Sequence, residues 1–141
     1  MYEIEVRVQF NILIHQSGHR LLPPYEGKCN NVHGESYTAI CILKQDKLNS
    51  NGMVMDFGDC KKQIEGWIDE NWDHAYIHYK DDNIGNCLKD HYMKTFNLGR
   101  NPTAENMAHF LFTILKGGFN LSISKVGIIE SFNDSIAWYE E

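Results

Sequence analysis

The chain lacks any apolar run near the roughly 20 residues that a membrane-spanning helix needs. It lacks C-x-x-C pairs as well. Cys29, Cys41, Cys60 and Cys87 stand far apart, which argues against a disulfide framework and against a structural zinc site built on cysteine. Basic excess is also missing. Thirteen Lys and Arg against nineteen Asp and Glu leave a net charge of -6, so nucleic acid and anionic membrane surfaces are poor partners. A small anionic substrate in a local basic pocket stays open. The start, "MYEIEVRVQF", alternates charged and apolar residues and so resembles neither a signal nor a transit peptide, which makes the cytoplasm the expected compartment. No internal repeat or low-complexity tract is present.

What is there suits one globular domain over residues 1–141, with 43% apolar and 12% aromatic residues. Residues 2–14 alternate as a strand, with Tyr2, Ile4, Val6, Val8 and Phe10 on one face. "HQSGHRLLPPYEGKCNN" breaks that regularity as a loop, and "HGESYTAICIL" reads as a second strand. Cys60, Ile64, Trp67 and Ile68 recur at helical spacing from Asp59 to about Asn71. Asn101-Pro102 suits the cap and first position of another helix, whose apolar stripe is Met107, Phe110, Leu111, Ile114 and Leu115. "FNLSISKVGIIES" and "SIAWYEE" read as a closing strand pair. The order ββααββ predicts an α+β domain with two helices on one face of a four-stranded antiparallel sheet. Its open edges invite pairing between subunits. The polar stretch from Ile77 to Arg100 lacks a pattern and is expected as a large loop.

Seven histidines are a surplus, several beside carboxylates. His33 and Glu35 lie two apart at the start of a strand, so both side chains share one face, and His19 from the preceding loop is able to join them. Two histidines and a carboxylate form a recognised zinc set with a fourth position for water or substrate. The competing reading is a polar pair on a solvated strand face. Cys29, four residues before His33, is either a thiol activated by a neighbouring cation or an inert loop cysteine. Asp73-His74 suits acid–base work, although a surface pair at a helix end is the commoner explanation. Glu130 follows "VGII" in an inner strand, where a carboxylate needs strong partners such as the paired N–H donors of a pterin or guanine edge, unless the strand ends before it. Thr103 and Glu105 open a helix, where capping and dipole needs alone account for them.

The order of the motifs is more specific than any one of them. "SGHRL", "CNNVHGE", "GMVMDF", "WDH", "NPTAEN" and "IIES" follow one another along essentially the whole chain. In this the sequence resembles the 6-pyruvoyltetrahydropterin synthase / 6-carboxytetrahydropterin synthase family. The resemblance implies the tunnelling fold, whose subunits join sheets into barrels, usually hexamers, with active sites between subunits. It implies zinc, one per subunit, on His19, His33 and the third position of an H-G-H motif, where this chain has Glu35 instead. It implies Cys29 and the Asp73-His74 pair as the catalytic set. Glu130 falls on the pterin anchor, and Thr103 and Glu105 fall beside the pterin pocket. Since the thiol and the anchor are retained, Glu35 is favoured as a carboxylate ligand replacing imidazole. One less unit of positive charge would make the metal a weaker Lewis acid, or favour another divalent ion such as iron or manganese.

Three residues separate Cys29 from His33, as in the bacterial 6-carboxytetrahydropterin synthases of queuosine and 7-deazaguanine biosynthesis, whereas the animal-type enzymes usually have five. The substrate implied is 7,8-dihydroneopterin triphosphate, with Arg20, Lys28, Lys61 and Lys62 as candidate phosphate contacts. The products implied are 6-carboxytetrahydropterin, acetaldehyde and triphosphate. The rivals are pyruvoyl synthesis that stops at elimination, a non-catalytic pterin binder without metal, and metal-independent aldolase chemistry on dihydroneopterin.

Overall fold

The computed structural model describes residues 1–14, 32–131 and 134–141. Strand β1 (Tyr2–Ile14) and strand β2 (His33–Gln45) pair antiparallel along their whole length, from Tyr2 opposite Gln45 to Ile14 opposite His33. Strand β5 (Ile123–Glu130) runs antiparallel to β2, with Tyr37 opposite Glu130 and a register break at Ile42/Leu43. Strand β6 (Ser135–Glu140) closes that side antiparallel to β5. Directly paired residues share a face. Val6, Val8, Phe10, Ile12 and Ile14 therefore join Tyr37, Ala39, Cys41 and Leu43 in one buried layer.

Two long helices cover that layer. Helix α1 (Phe57–Asn71) inserts Cys60, Ile64 and Ile68, and helix α3 (Ala104–Gly118) inserts Met107, Ala108, Leu111, Phe112 and Leu115. Each of the Ile, Leu, Met and Phe side chains among these, fully buried, stabilises the fold by about 1.5–3 kcal/mol. Both helices begin on a capping oxygen. Asp56 accepts the Asp59 N–H, and Thr103 accepts the Asn106 N–H. The cap of α3 is thus Thr103 rather than Asn101, because it is the Thr103 hydroxyl oxygen, at 3.2 Å, that accepts the first-turn N–H of Asn106. Between these helices lie Trp67, Trp72, Phe96 and Phe110, with ring centroids 5.1–6.3 Å apart.

The α+β architecture with helices on one sheet face holds, but the expected loop from Ile77 to Arg100 does not. That region contains strand β3 (Tyr76–His78), helix α2 (Asn83–Asp90) and strand β4 (Thr95–Asn97). β3 pairs parallel with the end of β1 at Leu13 and Ile14, and β4 pairs parallel with β3. Among the described residues the sheet is therefore mixed and six-stranded, in the order β4-β3-β1-β2-β5-β6. The physical reason is brevity. Three-residue strands carry no alternation, and β3 is buried at every position. Asp82 organises the excursion. Its Oδ1 caps α2 through the Ile84 N–H at 2.9 Å, and its Oδ2 accepts from the buried Tyr76 hydroxyl at 2.5 Å. No helix among the described residues is long and apolar enough to cross a membrane.

Candidate active site

The C-terminal end of α1 and the facing ends of β1 and β2 meet around a groove of about 420 Å³, lined by Asn11, Ile12, Leu13, Gly34, Glu35, Ser36 and His74. His74 arrives there because the chain leaves α1 in a tight reversal. The Trp72 and Asp73 N–H groups both donate to the Ile68 carbonyl at 2.8 Å, and His74 then takes φ 62, a left-handed conformation uncommon outside glycine. β1 holds that residue in place. The His74 N–H donates to the Asn11 carbonyl at 2.6 Å, and the Asn11 N–H donates to Asp73 Oδ1 at 2.9 Å.

Asp73 Oδ2 lies 2.9 Å from His74 Nδ1. An ionised carboxylate only accepts, so Nδ1 carries the hydrogen and Nε2 of the neutral ring keeps its lone pair. The imidazole is 75% exposed, open to a ligand in the groove. Partial burial pushes the Asp73 carboxyl up. The Asn11 N–H, the His74 ring and the Lys94 ammonium more than reverse this and hold it below the ordinary carboxylate value. The pair can therefore move a proton at His74 Nε2 while Asp73 stays charged.

On β2, His33 Nε2 lies 2.8 Å from Glu35 Oε1, as the i, i+2 spacing predicts. Glu35 Oε2 is buried and finds no hydrogen-bond donor among the described residues. A buried carboxylate oxygen without a partner is costly, and a divalent cation between the imidazole and the carboxylate would relieve it. One nitrogen and one carboxylate do not make a full coordination set, and no group of three His, Cys, Asp or Glu among the described residues could hold a metal ion. The two ligands present fit a metal, and the third expected one, His19, lies outside the described residues, as do Cys29, Arg20 and Lys28.

Glu130 ends the inner strand β5, half-buried and opposite Tyr37, which stands two residues beyond Glu35 on the same face of β2. Glu130, Glu35 and His33 therefore share the helix-facing side of the sheet. Thr103 and Glu105 do not line the groove. Thr103 caps α3 and Glu105 is exposed in its first turn. Lys61 and Lys62 lie on the exposed side of α1. Sequence reasoning missed Asn11, whose main chain binds both members of the Asp73–His74 pair and whose Oδ1 accepts from the Ser36 hydroxyl at 2.6 Å. An asparagine on the outward face of a strand otherwise rich in charged residues was its only signal.

Comparison with known proteins identifies the family and agrees with the fold. The family described as 6-pyruvoyl tetrahydropterin synthase matches residues 3–141. A 6-carboxy-5,6,7,8-tetrahydropterin synthase of Rickettsia felis is 35% identical over 136 residues, 90% of this chain and 92% of that protein. One from Haemophilus influenzae is 34% identical over 79% of this chain and 84% of its own length. The Caenorhabditis elegans 6-pyruvoyl tetrahydropterin synthase superposes with a TM-score of 0.72 at 25% identity, covering 99% of this chain and 95% of that one. An uncharacterized protein from Wolinella succinogenes shares the fold with a TM-score of 0.82 at 21% identity, covering 99% and 98% of the two chains. The chain belongs to the 6-pyruvoyl tetrahydropterin synthase family.

Proposed function

We propose that this protein is a 6-carboxy-5,6,7,8-tetrahydropterin synthase, a lyase that converts 7,8-dihydroneopterin triphosphate and one water to 6-carboxytetrahydropterin, acetaldehyde and triphosphate. The observation that carries the reading is the placement of His74, oriented by Asp73, in a groove bordered by the segment of β2 that carries Glu35. The carboxy product is favoured by the names of relatives 34–38% identical in Rickettsia and Haemophilus.

Glu130 anchors the pterin by accepting two parallel hydrogen bonds from its N3–H and 2-amino edge. His33 and Glu35, with His19, hold a divalent ion, zinc by resemblance. When bound, it supplies Lewis acidity toward the side-chain hydroxyls of the substrate and acidifies the neighbouring C–H bond. Cys29 as thiolate removes a proton on one side, and His74 Nε2 accepts or returns one on the other. Asp73 keeps that ring in the Nδ1–H tautomer and stabilises the imidazolium while it holds the proton. Thr103 and Glu105, which do not line this groove, serve by resemblance a pterin pocket shared with a neighbouring copy in a hexameric barrel with sites between subunits. The product then serves queuosine and 7-deazaguanine synthesis.

The test is to incubate the protein with 7,8-dihydroneopterin triphosphate, with and without a chelator, and to read products by mass spectrometry. Chelator-sensitive 6-carboxytetrahydropterin is the expected result. A 6-pyruvoyl product alone would move the chain to the other branch. Intact substrate with added zinc, despite pterin binding, would leave a binding protein.

A further inference from the structure

Lys94 lies far from the groove in sequence, just before β4, and its side chain is exposed. Its ammonium nevertheless donates to two main-chain carbonyls at the end of α1, Asp69 at 2.8 Å and Asp73 at 2.5 Å. Its own carbonyl accepts the Tyr76 N–H at 3.0 Å, which ties the lysine to β3. The last turn of α1 contains no basic residue. Helix C-termini leave carbonyls without intrahelical donors and favour a cation there. Lys94 supplies both needs from outside the helix. The second carbonyl it grips belongs to Asp73 itself.

We infer that Lys94, reaching back from the β3–α2–β4 excursion, is the positioning residue that holds the Asp73–His74 pair in its working geometry. The argument is one of constraint. Asp73 is gripped at its carboxylate by the Asn11 N–H and at its carbonyl by Lys94, so the peptide joining it to His74 is fixed from both sides. That peptide leads into the left-handed backbone of His74, a conformation that persists only where its surroundings impose it. The side chains acting electrostatically on the Asp73 carboxylate are the His74 ring and Lys94. Removing the ammonium frees the end of α1 and lets the His74 ring turn away from Asp73. The excursion is thus a buttress for the site and not surface decoration.

The inference rests on the proposed role of the pair, and its test separates the two. In ¹⁵N imidazole spectra of the full chain, the neutral His74 ring is expected as the Nδ1–H tautomer, with its signals assigned by their loss in His74→Ala. Lys94→Met keeps the stem without charge or donors and should shift the ring toward the Nε2–H form. It should also lower kcat by ~10-fold at nearly constant KM. Lys94→Arg, which can donate to both carbonyls, should restore the tautomer and most of kcat. If the methionine variant does not fold, Lys94→Gln takes its place. A wild-type tautomer or a wild-type kcat in the charge-removed variant overturns the inference. Full activity in His74→Ala overturns the proposed role of the pair instead, whatever the spectra of the Lys94 variants show.

Discussion

Replacing Asp82 by alanine should be among the most costly single changes outside the central core. Asp82 is 6% exposed and does two things at once. It caps α2, and it accepts from the hydroxyl of Tyr76, which is 1% exposed. Losing an N-cap costs ~1 kcal/mol. Leaving the Tyr76 hydroxyl buried without its acceptor costs a further ~1–3 kcal/mol. Asp82→Ala should therefore destabilise the protein by ~3 kcal/mol. Tyr76→Phe alone removes one charge-assisted bond and should cost ~2 kcal/mol. In the double variant no orphaned hydroxyl remains, so the combined cost should fall short of the sum by ~2 kcal/mol. Urea unfolding followed by tryptophan fluorescence measures all four proteins, at one fixed protein concentration because assembly raises apparent stability. Additive costs, or an Asp82→Ala variant within ~0.5 kcal/mol of the parent, would refute the reasoning.

Three more outcomes are expected. Asp73 is held below its ordinary value, so its stabilising contribution is full above about pH 4 and is lost as pH falls through the lower folded value. The melting-temperature gap between the parent and Asp73→Asn should accordingly stay constant from pH 7 to about pH 4 and narrow on further acidification, and a gap independent of pH contradicts this. Gly85→Ala gains ~1 kcal/mol of helix propensity, but the new Cβ would sit 2.6 Å from the buried His78 ring, which is held by the Tyr79 carbonyl and stacked on Tyr76. Overpacking of ~1–3 kcal/mol should win, and thermal denaturation showing a stabilised variant would sink the idea. Glu35→Gln should weaken zinc or manganese uptake, read by elemental analysis after dialysis, by at least the ~10-fold that losing even an outer-shell partner costs. Unchanged uptake removes Glu35 from the metal site.

The long elements were legible because their burial is one-sided. Val6, Val8 and Phe10 alternate along β1, and Ile64, Ile68, Leu111 and Leu115 repeat at helical spacing, so pattern and core coincide. The excursion was not, because Tyr76, Ile77 and His78 are all buried and show no period. Its one local signature, Asp82 before Asn83 and Ile84, is a capping signal that a polar neighbourhood hid. In the candidate site, the His33–Glu35 contact and the Asp73–His74 contact follow from spacing of two and one. Asn11 and Lys94 do not, since they reach Asp73 across 62 and 21 positions, and only the packing of β1 and β4 around the end of α1 brings them there.

The pairing of Tyr37 with Glu130 also bears on how the protein is made. The run Tyr37–Leu43 is buried at every position, and β5, which covers one of its edges, is synthesised only after α1, the excursion and α3. Until β5 arrives, a nascent chain presents an uncharged, β-branched edge with no strand upon it, open to pairing with another chain. Such distant pairing forms slowly, so renaturation should succeed at low protein concentration and give way to aggregation as concentration rises. The carboxylate that anchors the proposed substrate is thus put in place by a strand pairing that must wait for most of the chain.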